Sequence, residues 1–149
     1  MGSIVETLKK HRIIALDTSL WIYHFEQHPK FADLSGEILT AVAKQRCRAV
    51  ISELTLMELI TGPLKLDRLD IADEYELLLS HYPNLILVPI SRNILIQAAQ
   101  IRAFYNLKTS DAIILATAKE SRASLVVTND QSWPEFYGME ILCLSEVAL

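Results

Sequence analysis

Four carboxylates occupy corresponding places along this 149-residue chain. Asp17 closes the apolar run Ile13-Ile14-Ala15-Leu16, and Asp130 follows Leu125-Val126-Val127-Thr128 after one asparagine. Glu58 lies within Leu54-Thr55-Leu56-Met57-Glu58-Leu59-Ile60, and Asp111 directly precedes Ala112-Ile113-Ile114-Leu115-Ala116. Each has an ordinary reading. Asp17 and Asn129-Asp130 are common turn formers. Asp111 in a first helical turn complements the helix dipole, worth about 0.3–1 kcal/mol, and Glu58 can sit on a solvated stripe. Two features argue for more. A glutamate on a mostly apolar helix is costly unless something positive meets it. A helix apolar nearly all round, as after Asp111, belongs in a core. Four carboxylates gathered in one notch would repel and raise one another's pKa. A hard divalent cation relieves that repulsion. Oxygen ligands without clustered His or Cys favour Mg²⁺ or Mn²⁺ over zinc.

The elements that must position these acids alternate. Arg12–Asp17, Ala49–Ile51, Leu85–Ile90, Leu125–Thr128 and Ile141–Leu144 read as short β runs. Between them lie helical patterns: Leu20–Glu26, closed by Pro29; Ala32–Arg46; Glu53–Thr61, capped by Ser52 and stopped by Gly62-Pro63; and Ile71–Ser80, ending before Pro83. Ser91 caps a helix to Tyr105, where Asn106 takes the left-handed position, and Ser110–Ser121 is the helix headed by Asp111. Strands separated by helices imply a three-layer α/β/α fold around a parallel sheet of four to five strands. Ligands of such sheets bind beyond the carboxyl ends of the strands, where Asp17 and Asp130 stand.

Length and composition set the frame. One domain over residues 1–149 is expected, and 51% apolar residues exclude disorder. Apolar runs reach only about eight residues, too short for a membrane span, and no signal-peptide pattern opens the chain, so a cytoplasmic protein is expected. Cys47 and Cys143 lack metal-ligand spacing and read as buried small apolar residues. The net charge of -4 gives no global attraction for nucleic acid, so such a partner needs local basic patches or bound cations.

Four segments carry a family resemblance: "IALDTSLWIYHF", "ISELTLMELITGP", "LKTSDAIILATA" and "LVVTNDQSW". In this order, from Ile13 to Trp133, they resemble the PIN domain, the fold of VapC-like toxin ribonucleases. The most specific pieces are Ser-x-x-Thr-x-x-Glu-Leu-x-x-Gly and Ser-Asp-Ala-x-x-x-Ala-x-Ala. Relatives often have Gly where this chain has Asn106, which tolerates the same backbone, and the aromatic usual after the fourth acid is Trp133. The resemblance implies a metal-dependent endoribonuclease with Asp17, Glu58, Asp111 and Asp130 as its acidic set. It implies one or two Mg²⁺ (or Mn²⁺) ions, a 5′-phosphate and a 3′-hydroxyl as products, an RNA substrate, a cognate antitoxin and a homodimer. Thr18, Ser19, Ser110, Thr128 and Asn129 would then orient the carboxylates or their waters, with turn and cap roles as the equal alternative.

Other residues read more plainly. His11, His24, His28 and His81 make no metal or general-base spacing and are taken as surface or packing residues, as are Trp21 and Trp133. Tyr23, Phe25 and Phe31 are expected in core or dimer packing rather than base stacking. Lys108 and Arg102, near the notch, are read as part of a solvated face, with phosphate contact as the alternative, whereas Lys9, Lys10 and Arg12 belong at the opposite end and are expected to be solvated. Two rivals differ in class. A PIN scaffold that binds RNA or protein without cutting would keep the fold. A receiver-type signalling domain would need a second acid after Asp17, which is Thr18, and an Asp after the middle run, which ends Val88-Pro89-Ile90-Ser91.

Overall fold

The computed structural model describes residues 4–136 and 138–147. Five strands form one wholly parallel sheet in the order β3-β2-β1-β4-β5: β1 Ile13–Leu16, β2 Arg48–Ser52, β3 Leu85–Val88, β4 Leu125–Thr128 and β5 Glu140–Cys143. The helices are α1 Ile4–Leu8, α2 Thr18–Phe25, α3 Ala32–Ala43, α4 Leu54–Lys65, α5 Leu69–Ser80, α6 Arg92–Tyr105, α7 Thr109–Glu120 and α8 Leu144–Val147.

Strand alternation divides the core in two. Ile14 and Leu16, Ala49 and Ile51, and Leu125 and Val127 face the α1–α3 side, while Ala15, Val50 and Val126 face α6 and α7. Both faces are covered, which is why these strands read as unbroken apolar runs. Helix α7 is the most deeply buried: every residue from Ala112 to Ala118 is inside. No described helix is long and apolar enough to cross a membrane. Cys47 and Cys143 are buried free thiols.

Local signals held at several ends. Ser91 caps α6 by accepting from the Ile94 N–H at 3.1 Å, and Asn106 ends that helix at φ 56°, ψ 44°. Ser52 accepts from the Leu54 N–H at 3.1 Å.

Gly62-Pro63 does not stop α4, contrary to expectation, for the helix runs to Lys65. Pro63 removes only the donor that would reach back one turn, and beyond it the N–H groups of Leu66 and Arg68 close onto the Pro63 carbonyl at 3.1 and 2.9 Å. The last strand ends at Cys143, with Leu144 already opening α8. The short α1 lies where the sequence pattern announced no element; Ile4 and Leu8 bury it against the core.

Candidate active site

The sheet order reverses at β1: the chain moves first to β2 on one side, later to β4 on the other. Beyond the carboxyl ends of two strands at such a switch point a crevice must open. Here it is a concavity of about 530 Å³ lined by Asp17, Ser19, Tyr23, Asn129, Asp130, Gln131 and Ser132.

Asp17 follows β1 and caps α2. Its Oδ1 accepts from the Thr18 N–H at 2.7 Å. Its Oδ2 accepts from Thr128 Oγ1 at 2.8 Å and from Ser19 Oγ at 3.2 Å. The Thr128 bond joins the ends of β1 and β4 across the switch point. Burial raises the Asp17 pKa; the Thr128, Thr18 and Ser19 hydrogen bonds oppose this, and the Glu58 charge adds to it.

Glu58 reaches the same place from α4. Its Oε1 accepts from Thr18 Oγ1 at 2.7 Å, and that hydroxyl also lies 2.9 Å from Thr55 Oγ1. Thr18 and Thr55 are both buried. The side chain therefore meets a neutral hydroxyl where a positive partner was expected. The helix tolerates this because it is less buried than its composition suggests: Met57 is 57% exposed.

Asp111 stands in the first turn of α7, where the buried helix abuts the carboxyl edge. Burial raises its pKa first and the Asp17 charge second; Lys108 opposes, Asp130 adds, and the Trp133 indole opposes again. Asp130 behaves differently. Its Oδ1 accepts from Ser132 Oγ at 2.6 Å and Ser132 N–H at 2.9 Å. The Ser132 hydroxyl is the main reason its pKa is lowered. The buried Trp133 indole N–H has no hydrogen-bond partner among the described residues, and its lowering of the Asp111 and Asp130 pKa is the smallest of the influences on each.

The four acids thus meet through mutual charge effects, Asp17 with Glu58 and Asp111, and Asp111 with Asp130. Among the described residues, no three acidic, His or Cys side chains form a compact chelating group. Of the supporting residues, Thr18, Ser19 and Thr128 bond the carboxylates directly. Asn129 does not: its amide donates to Tyr23 Oη at 2.9 Å and accepts from Ser145 N–H at 2.9 Å, tying the notch floor to α8. Ser110 is half-buried beside Asp111 in sequence and makes no side-chain bond among the described residues. Sequence reading passed over Thr55, Ser132 and the indole of Trp133. Thr55 and Trp133 stand inside the motifs quoted above, but the contacts they make come from distant chain segments. Lys108 sits close enough to act on Asp111 and Asp130, whereas Arg102 braces its own helix end, donating to the Leu107 carbonyl at 3.3 Å.

The aromatics near α2 pack on one another. Tyr23 lies against His28 and Phe31, and Phe25 stacks on Tyr75 at 4.6 Å. His11 bridges Ser124 Oγ at 2.7 Å and Glu140 Oε2 at 2.9 Å.

The PIN domain family model matches residues 14–139. No curated protein sequence matches the chain. Among solved structures, a toxin–antitoxin complex from Klebsiella pneumoniae contains a chain 25% identical, with a TM-score of 0.68 and coverage of 88% of this chain and 97% of that one. VapBC2 from Rickettsia felis, bound to a DNA fragment from its promoter, is similar at 21% identity and TM-score 0.68, covering 87% and 96%. FitAcB from Neisseria gonorrhoeae is similar at 21% identity and TM-score 0.65, covering 89% and 98%.

Proposed function

Because the chain belongs to the PIN domain family, we propose that it is a divalent-metal-dependent endoribonuclease that cuts RNA at the acidic notch and serves as the toxin of a toxin–antitoxin pair. The observation that carries this reading is the convergence of Asp17, Glu58, Asp111 and Asp130 on the β1/β4 switch point. A sheet edge of this kind is where the fold offers a ligand site, and raised carboxylate pKa values there mark groups that favour a proton or a cation.

The donor set fits Mg²⁺ or Mn²⁺. All the donors are hard carboxylate oxygens, and Asp17 Oδ1 and Glu58 Oε1 each accept a single hydrogen bond and keep a second lone pair. Since no compact group of three acidic side chains is preformed among the described residues, Asp17, Glu58, Asp111 and Asp130 would hold the ion partly through water, as suits Mg²⁺, which keeps several waters and takes substrate phosphate oxygens as ligands. When bound, the ion supplies an acidified water and charge neutralisation at the leaving oxygen. The protein's own part is positional. Thr18 fixes Glu58; Thr128 and Ser19 fix Asp17; Ser132 fixes Asp130 and lowers its pKa; Lys108, which acts on Asp111 and Asp130, offers a cation for a substrate phosphate.

A protein partner is supported by two observations. One of the similar solved structures, from Klebsiella pneumoniae, is a toxin–antitoxin complex. On this chain the large apolar side chains Met57, Leu64, Leu66, Leu69 and Leu77 are exposed on α4, α5 and the turn between them, suited to an antitoxin or a second copy.

The test is cleavage of end-labelled RNA by the purified chain with Mg²⁺ or Mn²⁺ and with EDTA. Cleavage only with metal, lost in Asp111→Asn and leaving 5′-phosphate ends, is the expected result. A chain that binds RNA but cuts neither RNA nor single-stranded DNA under any of these conditions would replace this reading with a non-cutting scaffold.

A further inference from the structure

At the opposite, amino edge of the sheet lies a second concavity, of about 430 Å³, lined by Lys9, His11, Arg12, Arg46 and Arg48 with Gln45, Asn84, Ile13 and Cys47. Topology builds it. Arg12 precedes β1 and Arg48 opens β2, and the two adjacent parallel strands bring them together: the Arg48 N–H donates to the Arg12 carbonyl at 3.0 Å. Gln45, at φ 63°, turns the chain out of α3 and sets Arg46 on the rim.

No acid lines this cavity. Lys9 pairs with Glu6 at 3.7 Å and His11 with Glu140, but among the described residues the guanidiniums of Arg12, Arg46 and Arg48 make no hydrogen bond or ion pair. All three are exposed. In a chain with 18 acidic and 14 basic residues, three unpartnered guanidiniums around one hollow are not a sample of a generally basic surface. Their planar forks match phosphate oxygens. An acidic protein fits less well, because Ile13 and Cys47 are the only apolar lining and a protein interface needs a larger apolar anchor.

We propose that the arginine cleft formed by Arg12, Arg46 and Arg48 binds the phosphate backbone of an RNA strand, as an anchor remote from the acidic notch. The assignment of the strand as RNA rests on the nuclease reading; the phosphate chemistry does not. Such contacts position a strand without reading its bases.

The test is fluorescence anisotropy of a labelled single-stranded RNA with Asp111→Asn protein in EDTA, so that neither metal nor cleavage enters. The triple variant Arg12→Gln, Arg46→Gln, Arg48→Gln should bind at least about tenfold more weakly at moderate salt, with a salt slope shallower by about 2, near 0.7 for each lost single-strand contact. Lys65→Gln, Arg68→Gln, Arg92→Gln, with the same charge change elsewhere, should leave both unchanged. If the triple variant does not fold, Arg46→Gln alone carries the test with a slope change of about 0.7. Equal losses in the two triples, or none in the first, overturn the proposal. So does displacement of the RNA by inorganic phosphate at constant ionic strength, which would mark a small-phosphate site. Tighter binding of a polyglutamate peptide than of RNA would reassign the cleft to an acidic protein. A chain that binds RNA through these arginines yet cuts nothing would sink the nuclease reading and leave this one standing.

Discussion

The two ends of the sheet share one scaffold and differ in how charge is held. At the carboxyl edge, Asp17 at the end of β1, Glu58 on α4 and Asp130 after β4 are restrained by neutral donors, namely Thr18, Ser19, Thr128, Ser132 and a helix N–H, and Asp111 on α7 feels the charges of Asp17 and Asp130. At the amino edge, three arginines surround a hollow with no partner among the described residues. Neutral donors fix a carboxylate's direction while leaving its charge available, as a site needs when a cation is to be bound there. Salt bridges in the same place would have spent that charge. The unpaired arginines are open for the complementary reason, available to an anion from outside.

The contrast breaks most visibly at the acids. Asp17→Asn, Glu58→Gln, Asp111→Asn and Asp130→Asn are each expected to lower RNA cleavage on the order of a hundredfold or more, the scale of losing one preorganised electrostatic group. Circular dichroism should show each variant folded. Four variants that cut like the parent would remove the site.

A large structural effect is expected from Leu115→Ala in α7, which is fully buried; the cavity should cost about 2–5 kcal/mol in denaturant unfolding. It would also loosen the helix that presents Asp111.

Thr18→Val tests whether neutral donors are the device. It leaves the Glu58 carboxylate and the buried Thr55 hydroxyl without their shared partner, a loss of about 1–3 kcal/mol. The double variant Thr18→Val, Thr55→Val should recover part of the stability but none of the cleavage, because Glu58 stays unheld. Recovery of activity in the double variant would show that the hydroxyl pair is merely packing.

A smaller effect is expected from pH. Burial raises the folded-state pKa of Asp111, so protonation favours the fold and the cost of ionisation grows as pH rises through that raised value. Asp111→Asn should therefore melt higher than wild type in EDTA at pH 7. The gap should be roughly 2–4 °C or less, because the side chain is partly solvated, and it should close below the ordinary Asp value of about 3.9. A gap that widens on acidification would contradict the sign. Smallest is Asn106→Gly, which keeps the left-handed turn at φ 56° and should shift stability by only a few tenths of a kcal/mol.

Much of the fold was legible because alternating apolar runs and helical patterns can only build a covered parallel sheet. Asp17 and Asp130 were legible from their places after strands, and Asp111 from its place before a wholly apolar helix. Glu58 was found, but its partner was not. Its tie to Thr18 joins residues 40 apart in sequence, and no local pattern announces a hydroxyl pair between α2 and α4. Asn129 stands between two residues of the site, so proximity in sequence suggested a role beside the carboxylates; its amide turned instead to Tyr23 and Ser145. The placement of Lys9 and Arg12 opposite the notch was sound. What was hidden is that Arg46 and Arg48 join them, since strand adjacency is a property of topology and not of spacing.

The most direct measurement of the central claim is thermal unfolding in EDTA and in millimolar Mn²⁺, for wild type and Asp111→Asn. A cation that binds only the folded notch raises the melting temperature by mass action. Mn²⁺ should raise the melting temperature of the wild type and leave that of the variant unchanged. The same rise in both proteins, or none in either, would contradict a cation site built on Asp111 and its neighbours.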